Sequence, residues 1–149
     1  MSDFKGWTAE VGTISLIDII DDLGVDGKRG AITTFTGVVR EDSDASSNKV
    51  VQIEVETWEE NTSESMQSIA KRLGSKYNLL GLRIVHLFGI IELGEPIVFI
   101  VISSAHRKEA FDSLEEIIHA YKNESPVWKK EIYNDGTSNW ITTAKSMEK

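Results

Sequence analysis

The side chains with the most chemistry in this sequence are basic and stand at the two ends of one stretch, Ser103 to Glu131. At its start, His106 and Arg107 follow Ser103, Ser104 and Ala105. The spacing predicts that they open a helix, where free backbone N–H groups and the helix dipole favour an anion. An imidazole and a guanidinium added there make a phosphate or carboxylate site. At its end, Lys122, Lys129 and Lys130 bracket Pro126 and Trp128. A buried lysine among cations loses basicity and can act as a general base or nucleophile. If residues 129–131 are strand, Lys129 and Lys130 face opposite sides, and only one can share a pocket with Lys122. Arg40 closes a β-branched run that contains Phe35 and precedes a polar loop, a common position for ligand-binding side chains. Trp128 has the ring to stack on a planar heterocycle, and Glu131 fits either a surface ion pair or a catalytic carboxylate.

Each of these residues also has an ordinary reading when taken singly. Arg107 can pair with Glu109 or Glu41, Arg40 can make a surface ion pair, the three lysines can be solvated, and Trp128 can anchor a core. His86, inside an apolar run, reads as a satisfied core histidine rather than a ligand, and His119 carries no signal. Composition removes several other classes. The 149 residues carry a formal charge of −8, which argues against a general nucleic-acid binder, since phosphate-tracking surfaces need surplus Lys and Arg. There is no cysteine, so disulfides and thiolate chemistry are out. The three histidines lack zinc-site spacing, and no glycine-rich phosphate loop, Ser-His-Asp order or HExxH pattern occurs. No apolar run reaches the ~18 residues of a membrane span, and no signal-like leader is seen. The expectation is a soluble cytoplasmic protein, and carboxylates are too plentiful to exclude a metal at this point.

Positioning these groups falls to a chain of short elements. Leu16, Ile17, Ile19, Ile20 and Leu23 share a helical face, and residues 30–40 read as a strand with a bulge or close approach at Gly37. Residues 41–49 hold no apolar side chain larger than alanine and are expected to form a mobile loop beside Arg40. Val51, Ile53, Val55 and Thr57 alternate with polar neighbours as in a half-exposed strand. Asn61 and Glu64 resemble a capping box before a helix through Met66, Ile69, Ala70, Leu73 and Tyr77. Strands follow at 82–88 and 97–103. Ser103 or Ser104 can cap the next helix, whose buried face is expected to be Ala110, Phe111, Leu114, Ile117, Ile118 and Tyr121. Pro126 stops that helix. Residues 127–133 read as strand, Asn134-Asp135-Gly136 as a tight turn, Trp140-Ile141 as a return strand, and 142–149 as a flexible tail. The order predicts one α+β domain over 1–149, with two main helices on a mostly antiparallel or mixed sheet.

Helix length then constrains the chemistry. Sixteen residues separate His106 from Lys122, roughly 24 Å along a helix, so one small ligand cannot touch both ends. Either each chain carries two sites, or a symmetric dimer brings the start of one helix to the end of its neighbour's. The dimer is the preferred reading.

Three separated motifs, GAITTFTGVVR at Gly30 to Arg40, SAHR at Ser104 to Arg107, and Lys122-xxx-Pro126-Val-Trp-Lys-Lys-Glu131, are followed by Gly136 and Trp140-Ile141. Together they resemble the large, catalytic subunit of molybdopterin synthase, the MoaE family, over roughly residues 30 to 141. That resemblance implies an α/β hammerhead-type fold and a homodimer at the centre of a heterotetramer. It also implies two small ubiquitin-like sulfur-carrier subunits, each threading a C-terminal Gly-Gly thiocarboxylate into a pocket shared across the dimer. The implied reaction inserts two sulfurs into cyclic pyranopterin monophosphate, giving the dithiolene of molybdopterin, and needs no metal and no cofactor. By motif, the functional residues fall on Arg40, His106, Arg107, Lys122 and Lys129, with Lys122 and Lys129 catalytic and Phe35, Trp128, Glu131 and Lys145 as accessories. Two departures stand out. The segment Val55 to Glu60 is more acidic than usual for the family. An arginine common after the Trp-hydrophobic pair is missing, and the position holds Ala144 followed by Lys145, which offers a point charge without arginine's bidentate grip. Two other readings remain: a non-catalytic phosphorylated-pterin or nucleotide-binding module, and a scaffold for a ubiquitin-like partner.

Overall fold

The computed structural model describes residues 3–24, 26–43 and 45–141. Its elements run β1 Asp3–Glu10, α1 Leu16–Asp22, β2 Ala31–Val38, β3 Val50–Thr57, α2 Glu59–Lys76, β4 Gly81–Glu92, β5 Pro96–Ser104, α3 Arg107–Glu124, β6 Val127–Tyr133 and β7 Ser138–Ile141. The strands form one seven-stranded sheet in the order β2-β5-β4-β3-β6-β7, with β1 alongside β4. Among the described residues only the β1–β4 pair is parallel. The α+β class therefore holds, with a mostly antiparallel sheet and, beside the two long helices, the seven-residue α1.

β4 is the strand that joins the two halves of the sheet. Its residues 81–86 pair with β5, and 89–92 pair with β3. The change of partner falls at Gly89, whose φ of 109° lies where a Cβ would be strained. Gly81 to Leu87 are buried without interruption, as expected of a strand covered on both faces. α2 lies on β1 through Gln67, whose amide donates to the Phe4 carbonyl and accepts from the Gly6 N–H. That contact covers part of a strand edge that would otherwise be open. Among the described residues no helix is long and apolar enough to cross a membrane.

Several local expectations are corrected. α2 begins at Glu59, so Asn61 and Glu64 lie inside it and form no capping box. Its start is held instead by Thr62, whose hydroxyl accepts from the Trp58 N–H and donates to the Pro126 carbonyl. α3 is capped by neither Ser103 nor Ser104. His106 is the N-cap residue and makes no side-chain cap bond, while the Ser104 hydroxyl donates to the His106 carbonyl. Its buried face is Ala110, Ser113, Ile117, Ala120 and Tyr121, whereas Phe111 is 63% exposed. A true capping box, Ser15 with Asp18, opens α1, where sequence reading identified none.

Arg83 is the largest fully buried polar side chain, at 0% exposure. Its Nε donates to Asp22 at 2.7 Å and its Nη2 to Asp3 at 2.7 Å, while Nη1 reaches the Asp3 and Leu82 carbonyls. This ties β1 and α1 to β4. The Arg83 hydrogen bond holds the Asp22 carboxyl below its ordinary pKa. Asp22→Asn removes the charge-assisted bond and is expected to cost about 1–3 kcal/mol in thermal unfolding at pH 7. Because the native pKa is depressed, the stabilisation is full above the unfolded value near 4 and is lost as pH falls through the native value. The Asn variant therefore converges on wild type in acid melts.

Candidate active-site cleft

The C-terminal turn of α3 and the start of β6 are joined by the short Ser125-Pro126 link, and this connection builds the cleft. Ser125 has left helical geometry, with ψ of 134°, as the residue before a proline must. The chain therefore reverses at once and sets Lys122 of α3 beside Lys129 of β6. Along β6 the side chains alternate. Lys129 and Glu131 turn to the cleft, while Lys130 turns away, pairs with Glu54 at 3.1 Å and covers the Trp140 ring at 5.4 Å. The other wall comes from the end of β2, where the register shifts between Gly37 and Val38 and Arg40 follows. Val39 is held between the Glu95 and Gly94 backbones, so the base of Arg40 is fixed.

The resulting cleft has a volume of about 310 Å³ and is lined by Phe35, Arg40, Tyr121, Lys122, Lys129 and Glu131, among others. That size suits a small-molecule site. Neither Lys122 nor Lys129 makes an ion pair among the described residues. Burial, and then the charge of Lys122, push the Lys129 ammonium down to about 8. Glu131 is occupied differently: one carboxylate oxygen accepts from Ser43 at 2.7 Å and from Tyr133 at 2.8 Å. The arrangement offers two cations for an anion and one amine able to exchange a proton near neutral pH. A wider hollow of about 780 Å³ between β1 and α2 gathers no comparable charge, since its Arg72 is paired with Glu124 at 2.8 Å.

The expected residues separate into three places. Arg40, Lys122, Lys129, Glu131 and Phe35 meet in the cleft. His106 and Arg107 do not: they are exposed at the other end of the 18-residue α3, about 27 Å long. There His106 lies 3.8 Å from Glu109, and Arg107 pairs with neither Glu109 nor Glu41. Trp128 is turned from the cleft and forms an aromatic depression with Trp58 and Trp140. Lys145 and the tail 142–149 lie outside the described residues. Sequence reading missed Tyr121 as a cleft residue because its helical spacing marked it only as core, and nothing in the polar loop distinguished Ser43 from its neighbours.

His106 and Arg107 depend on a close backbone contact. A Cβ on Gly30 would lie 2.3 Å from the Ala105 carbonyl oxygen. Gly30→Ala is expected to shift the segment entering α3 and to cost about 1–3 kcal/mol by overpacking, read as a lower Tm.

Residues 11–124 match the family model described as MoaE protein. The chain belongs to the MoaE family. A curated MoaE-type relative, the molybdopterin synthase catalytic subunit of Bacillus subtilis (strain 168), is 38% identical over 112 residues, covering 75% of this chain and 69% of that protein. That of Thermoplasma volcanium is 36% identical, covering 74% and 80%. The crystal structure of molybdopterin synthase from Staphylococcus aureus superposes with a TM-score of 0.77 at 28% identity, covering 95% of this chain and 98% of that one. The MoaE fold extends across both the cleft and the α3 start.

Proposed function

We propose that this chain is the catalytic subunit of a molybdopterin synthase, and that the Arg40–Lys122–Lys129 cleft is where sulfur passes from a thiocarboxylate donor to cyclic pyranopterin monophosphate. The observation that carries the reading is the pair of lysines without ion-pair partners, one of them held near pKa 8, opposite Arg40 in a cleft of ligand size. Its relatives' names give the activity its class, that of a sulfurtransferase in molybdenum cofactor biosynthesis.

In this reading Arg40 attracts the cyclic phosphate, Lys122 holds the donor's C-terminal thiocarboxylate by charge, and Lys129 works as the neutral amine. The thiocarboxylate sulfur bonds to a side-chain carbon of the pterin as that carbon's oxygen leaves, with the opening cyclic phosphate or as water; a second water then cleaves the acyl–sulfur bond, so that sulfur stays on the pterin and the donor leaves with an ordinary carboxylate. Lys129 can take the proton that the attacking water gives up. His106 and Arg107 complete the anion site from the neighbouring protomer of a homodimer, because their own helix holds them too far from the cleft. The donor is a small ubiquitin-like subunit, giving a heterotetramer. The test mixes purified protein with thiocarboxylated small subunit and cyclic pyranopterin monophosphate and looks for molybdopterin. Product formation supports the reading, and a wild-type protein that yields none sinks it.

A further inference from the structure

Behind the two lysines lies a second, much smaller cavity of about 10 Å³, bounded by His86, Tyr121, Lys122, Ser125, Val127 and Lys129. That is about the space one water needs. His86 is 1% exposed, and its Nδ1 lies 2.9 Å from the Leu87 carbonyl, so Nδ1 carries the hydrogen and Nε2 is left with a lone pair. No bond to Nε2 is found, yet among the described residues no fully enclosed side-chain nitrogen or oxygen lacks a partner. Nε2 must therefore touch open space, and the cavity is the space His86 borders. The Tyr121 hydroxyl likewise has no protein partner among the described residues, and Tyr121, 4% exposed, borders the same cavity. Its ring meets His86 edge-on, with centroids 5.8 Å apart.

We infer that this cavity holds one water that donates to His86 Nε2 and accepts from the Lys129 ammonium, so that His86 is a positioning residue for Lys129. Of the residues that bound the cavity, His86, Tyr121 and Lys129 carry the polar groups such a water needs, three being the usual number for a buried water. Burial and the Lys129 charge hold His86 down to about 3, so it stays neutral throughout the working range and its Nε2 acts only as an acceptor. The groups facing it are accounted for on every side. Thr8 of β1 and Val98 of β5 flank it in the sheet, Tyr121 and Lys122 come from α3, and Lys129 comes from β6. Among these only the two lysines carry charge, and burial pushes the Tyr121 phenol up to about 12. The clamp fixes the amine where it meets substrate and supports its ammonium where burial has removed most of its solvent. The inference rests on the reading of Lys129 as a working residue, but its test does not.

Two variants share one loss and differ in another. His86→Phe and His86→Gln both give up the bond to the Leu87 carbonyl, but only Gln keeps a polar group that reaches the cavity. The Lys129 pKa is measured by competitive amine labelling across pH with mass spectrometry, on wild-type, Phe and Gln proteins whose folding is checked by thermal melts. The expected result is a Lys129 pKa lower by about one unit in Phe, the loss of a charge-assisted bond, and near wild type in Gln. Equal values in Phe and wild type, or equal shifts in Phe and Gln, overturn the proposal. Since labelling needs no turnover, a failure of sulfur transfer in wild type would leave this result standing and fault only the functional reading.

Discussion

Lys129→Ala is expected to lower molybdopterin formation by about 10²–10⁴-fold, the range for removing a proton-transfer group. The wild-type rate should rise with pH and level off through an inflexion near 8, because the neutral amine accepts the proton and burial beside Lys122 sets its pKa at about that value. Lys129→Arg keeps a cation but has no neutral form near that pH, so it should bind donor and still turn over no faster than Ala. The substitution should not weaken the fold. An ammonium taken out of water beside another cation destabilises the native state, and Lys129→Met is expected to raise Tm by a few degrees at pH 7. The cost is full below the native pKa near 8 and is relieved as pH rises toward the unfolded value of about 10.4, so the Tm gap should close in that window. Full activity in Lys129→Ala, or a pH profile without the limb near 8, would remove Lys129 from the mechanism.

Parts of this site were readable from sequence because local rules decide them. β6 spans Val127–Tyr133 as expected, since Pro126 forces the chain out of the helix and the turn at 134–136 ends the strand. From those bounds alone, alternation separates Lys129 from Lys130, and the structure assigns Lys129 to the cleft and Lys130 to Glu54. What failed was decided by distant contacts. The α2 start is set by Thr62 bonding the Pro126 carbonyl, 64 residues away, so a local box at Asn61 had no bearing on it. Spacing identified the face of α3 but not its width, and Phe111 falls beyond the edge of the elements beneath. His86 is core as expected, but only its Nδ1 is satisfied by protein among the described residues. That its second nitrogen borders a cavity shared with Lys129 depends on β4, α3 and β6 meeting, which no spacing within β4 encodes.

The shared-pocket arrangement makes a quantitative claim that mixing can test. His106→Ala and Lys122→Ala should each be nearly inactive alone, because every pocket of either homodimer lacks one group. When the two proteins are unfolded together and refolded, or co-expressed, half of the dimers are mixed. In a mixed dimer one pocket receives His106 from the Lys122→Ala chain and Lys122 from the His106→Ala chain, so it is intact, while the other lacks both. Recovered activity should therefore approach about a quarter of wild type if protomers exchange at random and pockets work independently. The geometry leaves little room for an alternative within one chain: α3 is continuous from Arg107 to Glu124, and its length keeps its two ends from touching one small ligand. Mixing that restores nothing, or a stable monomer in gel filtration that still turns over, would mean that His106 and Arg107 serve a surface separate from the cleft.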